Sequence, residues 1–238
     1  GLKTWQSYFA IKPIDNPIIF MVGGKGKRLM PLTKQIPKPM LKVKGKPILQ
    51  RLLEKTRNEG FKNYFFITGY LSAIIKNHFK NGNKWKVDIS WVKEQKPLGT
   101  AGGLGLVKPK NNLPVIVANG DIITEVKYSD ILNYHANEKN MVTIVVKKHK
   151  ITNPYGVVKI VKNKVVDLLE KPSSSSYISA GIYVFKPTLF KKIKKNKYLD
   201  MDSFLNKLIE EKIKISVYPL HENWLDIGFH SEYKSANK

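Results

Sequence analysis

Ile18-Ile19-Phe20-Met21-Val22-Gly23-Gly24-Lys25-Gly26-Lys27-Arg28-Leu29, followed by Pro31-Leu32-Thr33 and Pro37-Lys38-Pro39, joins five apolar residues to a glycine-rich, basic loop. The apolar run has the length and composition of a buried strand. Glycines at its end let the backbone come close to a ligand, and consecutive main-chain N–H groups in such a loop can cradle phosphate oxygens. Lys25, Lys27, Arg28 and Lys38 bring positive charge to the same corner. The stretch reads as a polyphosphate site. It is not a dinucleotide fingerprint, because Gly24-Lys25-Gly26 continues into Lys27-Arg28-Leu29 with no third glycine. Nor is it a P-loop, because Arg28 stands where Ser or Thr is required.

Working outward, Pro47 opens a helix with apolar Ile48, Leu49, Leu52 and Leu53, closed by Gly60. Strands are expected at 64–67, 87–92 and 115–118, with a short helix capped by Ser72 and running to Phe79. A further helix is expected from Gly99 to Val107. Strand and helix alternate, which predicts an α/β fold: a doubly wound, mostly parallel sheet with its ligand at the carboxyl ends of the strands. The second half departs from this. Strands are expected at 141–146, 178–185 and 213–218, with a helix around 204–209. A β-hairpin joins 157–160 to 165–169 across Lys162-Asn163-Lys164. Ser173–Ser176 reads as a flexible polar loop. Residues 1–17 read as a linker and 18–238 as one domain, with Gly1 taken as the start of an excised piece or the scar of a tag.

The 238 residues carry a net charge of +24, which invites a nucleic-acid reading. Against it, only Arg28, Arg51 and Arg57 among the 42 basic residues are arginine, and bidentate phosphate and base recognition favours arginine. With no cysteine there are no disulfides or thiolate metal sites, which fits a reducing, cytoplasmic setting. No apolar run is long enough to span a membrane, no signal peptide is apparent, and the five histidines have no metal-binding spacing. No membrane partner and no specific nucleic acid is expected.

Other segments carry chemistry. Glu94-Gln95-Lys96-Pro97-Leu98-Gly99-Thr100-Ala101-Gly102-Gly103 is a second glycine-rich loop, suited to holding a base or ribose by backbone contacts. Asn119-Gly120-Asp121 follows a buried strand, and Asp226 sits in Trp224-Leu225-Asp226-Ile227-Gly228. Either acid could equally cap a helix or satisfy a loop amide. Pro154-Tyr155-Gly156-Val157-Val158, Glu170-Lys171-Pro172 and Ser179-Ala180-Gly181 are hairpin ends and turns when taken singly.

Taken in order, these motifs resemble the sugar-nucleotidyltransferase (NDP-sugar pyrophosphorylase) family over roughly residues 18–235. The chain is most similar to bacterial guanylyltransferases that activate a hexose or hexosamine 1-phosphate for nonulosonic (legionaminic-type) acid synthesis. The resemblance implies a nucleotide-diphospho-sugar transferase fold, Rossmann-like, with a hairpin part for the sugar. It implies transfer of a nucleotidyl group from an NTP to a sugar 1-phosphate. Arg28 and Lys38 would be catalytic. Gly23, Gly24, Gly26, Glu94, Gly99, Thr100, Asn119 and Gly120 would bind the nucleotide. Tyr155, Gly156, Glu170, Lys171, Ser179 and Gly181 would hold the sugar phosphate, with Ser179 standing where many members have Asn. Asp121 and Asp226 would hold Mg²⁺. An upstream pair of CBS regulatory domains and a homo-oligomer are compatible with the resemblance. Guanine offers two adjacent donors, N1–H and the 2-amino group, which the Glu94 carboxylate would accept together. GTP is therefore the expected donor, with a thymidylyl- or uridylyltransferase, a non-catalytic nucleotide sensor, and a basic nucleic-acid-binding protein as the alternatives.

Overall fold

The computed structural model describes residues 12–238. Strand β1 (Ile18–Val22) is followed by a two-strand clip, β2 (Lys42–Val43) and β3 (Lys46–Pro47), and then by helix α1 (Ile48–Asn58). The chain continues through β4 (Asn63–Thr68), α2 (Ser72–Phe79), β5 (Asp88–Lys93), β6 (Val115–Asn119), β7 (Ile122–Thr124) and α3 (Tyr128–Asn137). Next come β8 (Val142–Thr152), β9 (Val157–Val161), β10 (Lys164–Leu169) and β11 (Ser173–Phe185). Helix α4 (Met201–Glu210), β12 (Ile215–Pro219), β13 (Trp224–Asp226) and α5 (His230–Asn237) complete the order.

Seven strands form one sheet in the order β12-β8-β11-β6-β1-β4-β5. Pairings β1–β4, β1–β6, β4–β5 and β8–β12 are parallel, while β11 runs antiparallel to both β6 and β8. The expected mostly parallel α/β sheet is what forms. Strand β1 lies inside the sheet, between β6 and β4, and all five of its side chains are apolar. Ile18, Phe20 and Val22 enter one core with Leu49, Leu52 and Ile75 of α1 and α2. Ile19 enters a second core on the opposite face with Phe204 and Leu208 of α4. Burying one such side chain contributes roughly 1.5–3 kcal/mol. After β5 the chain returns to the other side of β1, so the crevice where the strand order reverses opens above the carboxyl ends of β1 and β6.

Several local expectations are corrected. Gly99 to Val107 is not an α-helix: a 3-10 helix covers only Gly102–Leu106, where closely spaced glycines disfavour a longer regular helix. Ser72 does not cap α2 but is its first residue; Leu71 occupies the cap with φ 49° and no side-chain hydrogen bond. Pro47 precedes α1 and belongs to β3. Ser173–Ser176 is not a loop, since it pairs residue by residue with Thr152 to His149 as the outer part of β11. The hairpin β9–β10 forms as expected, with Lys162 and Asn163 at φ 45° and 61° in its two-residue turn. Together β8, β11 and this hairpin make an arm that projects beyond the carboxyl end of β6. The expected linker over 1–17 lies largely outside the described residues, and within its described part Ile14 bridges Phe61. Among the described residues no helix is long and apolar enough to cross a membrane.

Candidate active site

The glycine loop leaves β1 and folds back through three 3-10 turns, Lys27–Leu29, Leu32–Lys34 and Lys38–Met40. Two anchors hold it. The Thr33 hydroxyl donates to the Gly26 carbonyl at 2.9 Å. Tyr70, after β4, donates its backbone N–H to the Gly23 carbonyl at 3.1 Å and its hydroxyl to the carbonyls of Thr33 and Lys34. A cleft of about 480 Å³ opens beside the loop, lined by Gly23, Gly24, Gly26, Arg28, Lys38, Glu94, Gly99, Thr100, Asn119 and Asp121.

On the cleft wall Lys38 meets both acids, with Nζ 2.5 Å from Asp121 Oδ2 and 3.4 Å from Asp226 Oδ1. Their meeting follows from the short antiparallel pair β7–β13, in which Asp226 stands opposite Ile122, next to Asp121. Asp121 Oδ1 is buried without a hydrogen-bond partner. Burial pushes its carboxyl above the usual range and nearby Asp226 adds to this, while Lys38 opposes both. Arg28 differs from Lys38: its guanidinium carbon lies 4.6 Å from the centre of the Phe229 ring.

Glu94 also lines the cleft. Its carboxylate is wedged between glycines: a Cβ on Gly23 would come within 2.8 Å of Oε2, and one on Gly103 within 2.7 Å of Oε1. Oε1 is buried without a partner, and desolvation pushes the pKa up to about 7. A buried acceptor without a partner, on a residue that lines the cleft, is a place for an N–H donor. Thr100 has a second task, because its hydroxyl accepts the N–H of Met201 at 2.7 Å and so caps α4.

The remaining expected residues lie elsewhere. Gly120 packs beneath the Val22 side chain, which leaves no room for a Cβ, and does not line the cleft. Gly181, at φ 70°, packs against Asn119: a Cβ there would sit 2.6 Å from Nδ2. Ser179 shares a 2.8 Å hydrogen bond with the Tyr183 hydroxyl. Tyr155, Gly156, Glu170 and Lys171 stand exposed on the arm, outside the cleft lining. Two lining residues escaped the sequence reading. Tyr198 donates its hydroxyl to Asp200 at 2.7 Å, and Asp200 accepts the Thr100 backbone N–H at 3.1 Å. Asp200 before the apolar positions of α4 reads from sequence only as a helix cap.

Residues 17–238 match the sequence profile of the nucleotidyl transferase family. The chain belongs to that family. A mannose-1-phosphate guanyltransferase of Pichia angusta is 31% identical, over 92% of this chain and 62% of its own length. The bifunctional protein GlmU of Methanococcus aeolicus is 34% identical, over 92% of this chain and 53% of its own. The chain thus spans little more than half the length of these family members. Among solved structures, HddC from Yersinia pseudotuberculosis complexed with GMP-PN has the same fold, with a TM-score of 0.71, 23% identity, and coverage of 93% of this chain and 97% of that one.

Proposed function

We propose that this nucleotidyl transferase moves a nucleotidyl group, GMP by preference, from a nucleoside triphosphate to a hexose or hexosamine 1-phosphate and releases pyrophosphate. The observation that carries the reading is the convergence of Asp121 and Asp226 on Lys38, with Lys38 and Asp121 lining the glycine-loop cleft. An oxygen of the sugar phosphate attacks the α-phosphorus. The bond from that phosphorus to the bridging oxygen breaks, and pyrophosphate leaves with the electron pair. A phosphate whose second pKa is roughly 6 is already a nucleophile near neutral pH, so no general base is needed. Rate enhancement then rests on position and charge. Main-chain N–H groups at Gly23, Gly24 and Gly26 hold the triphosphate, Lys38 faces the α-phosphate, and Arg28 meets the departing pyrophosphate. Lys171 and the other arm residues hold the sugar phosphate.

Asp121 and Asp226 fit a Mg²⁺ ion. One buried carboxylate oxygen lacks a partner, and both side chains already converge on a cation. Among the described residues no cluster of three or more His, Cys, Asp or Glu forms, and two carboxylates completed by phosphate oxygens and water suit Mg²⁺. Bound there, the ion would neutralise phosphate charge.

Support for guanine comes from Glu94, a cleft-lining acid whose buried Oε1 has no partner, and from the guanyltransferase among the relatives. Within the family, we assign the chain to the cytoplasmic bacterial guanylyltransferases that serve nonulosonic (legionaminic-type) acid synthesis. The test is pyrophosphate release over a panel of GTP, UTP, dTTP, CTP and ATP with several hexose and hexosamine 1-phosphates. GTP is expected to give the highest kcat/KM, and release to require both substrates. A wild type that favours UTP or dTTP overturns the base assignment. Silence across the panel overturns the transfer and leaves a nucleotide sensor.

A further inference from the structure

Arg28 and Lys38 line the same cleft but are held in opposite ways. Lys38 is fixed by two carboxylates. Among the described residues no carboxylate pairs with Arg28; it lies against the ring of Phe229, 4.6 Å from guanidinium carbon to ring centre. That ring belongs to the segment that also carries Asp226. The segment is pinned from behind: Glu232 Oε2 accepts the backbone N–H groups of Gly228 at 2.6 Å and of Phe229 at 2.7 Å. His230 Nε2 lies 3.0 Å from the carbonyl of Met30, tying the start of α5 to the loop that bears Arg28. Residue 228 is glycine, and a Cβ there would stand in ordinary contact, 3.5 Å, with an Arg28 guanidinium nitrogen, so the segment runs directly beside the arginine.

Stacking uses the face of a guanidinium and leaves its N–H groups, which lie in the plane, open to an anion. A carboxylate partner would restrain Arg28 equally well but would occupy those donors and cancel the charge. We infer that Phe229 is a positioning residue. Its ring holds the Arg28 side chain in the cleft with its donors free, so that the arginine meets a phosphate group already ordered. Pre-ordering removes rotamer entropy that binding would otherwise cost. Phe229 does not touch the phosphates; it acts through Arg28. The inference rests on the proposed function for its kinetic consequence but not for its binding consequence.

The experiment compares Phe229→Ala, Phe229→Leu and Phe229→Trp, each alone and combined with Arg28→Ala, in the full chain. Two quantities are read: kcat with GTP and a sugar 1-phosphate, and the calorimetric Kd for inorganic pyrophosphate, which needs no turnover. Phe229 is half exposed, so these variants are expected to fold, and their melting temperatures check this. Phe229→Ala and Phe229→Leu are expected to lower kcat and weaken pyrophosphate about tenfold, with KM for the sugar phosphate unchanged. Phe229→Trp is expected to retain both, because an aromatic face remains. In the Arg28→Ala background the loss of the ring is expected to change nothing further, since the two residues act as a unit.

Additive losses in the double variant overturn the inference, and so does a Phe229→Leu variant that behaves as wild type. A wild-type protein that binds pyrophosphate through a coupled Arg28–Phe229 pair but turns over no substrate pair overturns only the proposed function. Coupling that is absent in an active enzyme overturns only the role of Phe229.

Discussion

Beside the cleft, side chains 188 residues apart in sequence come within 3.4 Å of each other, and the Lys38 side chain is only 11% exposed. On the arm, Ile160, Val165 and Leu168 stand 63%, 61% and 69% exposed. The corner is bolted to the ends of β1, β6 and β13. The arm's hairpin is a separate two-stranded sheet, a form that has little stability of its own. The contrast matches two different demands. Neutralising charge at a reacting phosphorus requires fixed groups, because misplacement by about 1 Å can cost two orders of magnitude in rate. Admitting and releasing a sugar phosphate requires a wall that can yield. In this reading the nucleotide half of the site is built in advance and the sugar half is completed by the substrate.

The contrast breaks most severely at Asp121. Asp121→Asn is expected to lower kcat by at least about two orders of magnitude, roughly 2.7 kcal/mol, while calorimetric NTP binding partly survives on the glycine loop. Full turnover in EDTA would remove the two-carboxylate metal site.

Glu94 gives a smaller effect that depends on pH. Its folded-state pKa, about 7 against an ordinary 4.5, is raised, so its stability contribution is complete below pH 4.5 and is lost as pH rises to about 7. Guanine donors need the ionised carboxylate, so GTP affinity should run the other way and strengthen with pH. Kd for GTP is expected to be about tenfold tighter at pH 8 than at pH 6, following the ionised fraction. Glu94→Gln is expected to flatten that slope and erode the preference for GTP. A wild-type Kd that does not change over this range would take Glu94 out of base recognition.

The smallest effect belongs to the arm. Lys171→Ala is expected to raise KM for the sugar phosphate about fivefold, the roughly 1 kcal/mol of an exposed charge contact. NTP affinity should not move. A loss of NTP binding of the same size would show that arm and corner are one unit and dissolve the comparison.

Wherever burial imposes a pattern, the sequence was legible. The apolar run of β1, the alternation of strand and helix, and the glycine loop all carry their environment in their residue types. The hairpin could be read because its turn sits between two β-branched runs. The outer part of β11 could not, since Ser173–Ser176 is exposed and pairs through the backbone, which leaves no side-chain signature. Gly99–Val107 misled because glycine permits more than one tight turn. Tyr198 and Asp200 reach the cleft, and Phe229 reaches Arg28, through contacts between distant segments, and nothing local to them announces it.

The ion pair from Lys38 to Asp226 also bears on the order of synthesis. A ribosome must add 188 residues beyond Lys38 before Asp226 exists. Strands β1, β4 and β5 can pair long before that, because their partners lie close in sequence. A chain emerging from its N-terminus would have a recognisable sheet and glycine loop while its phosphate corner was still half built.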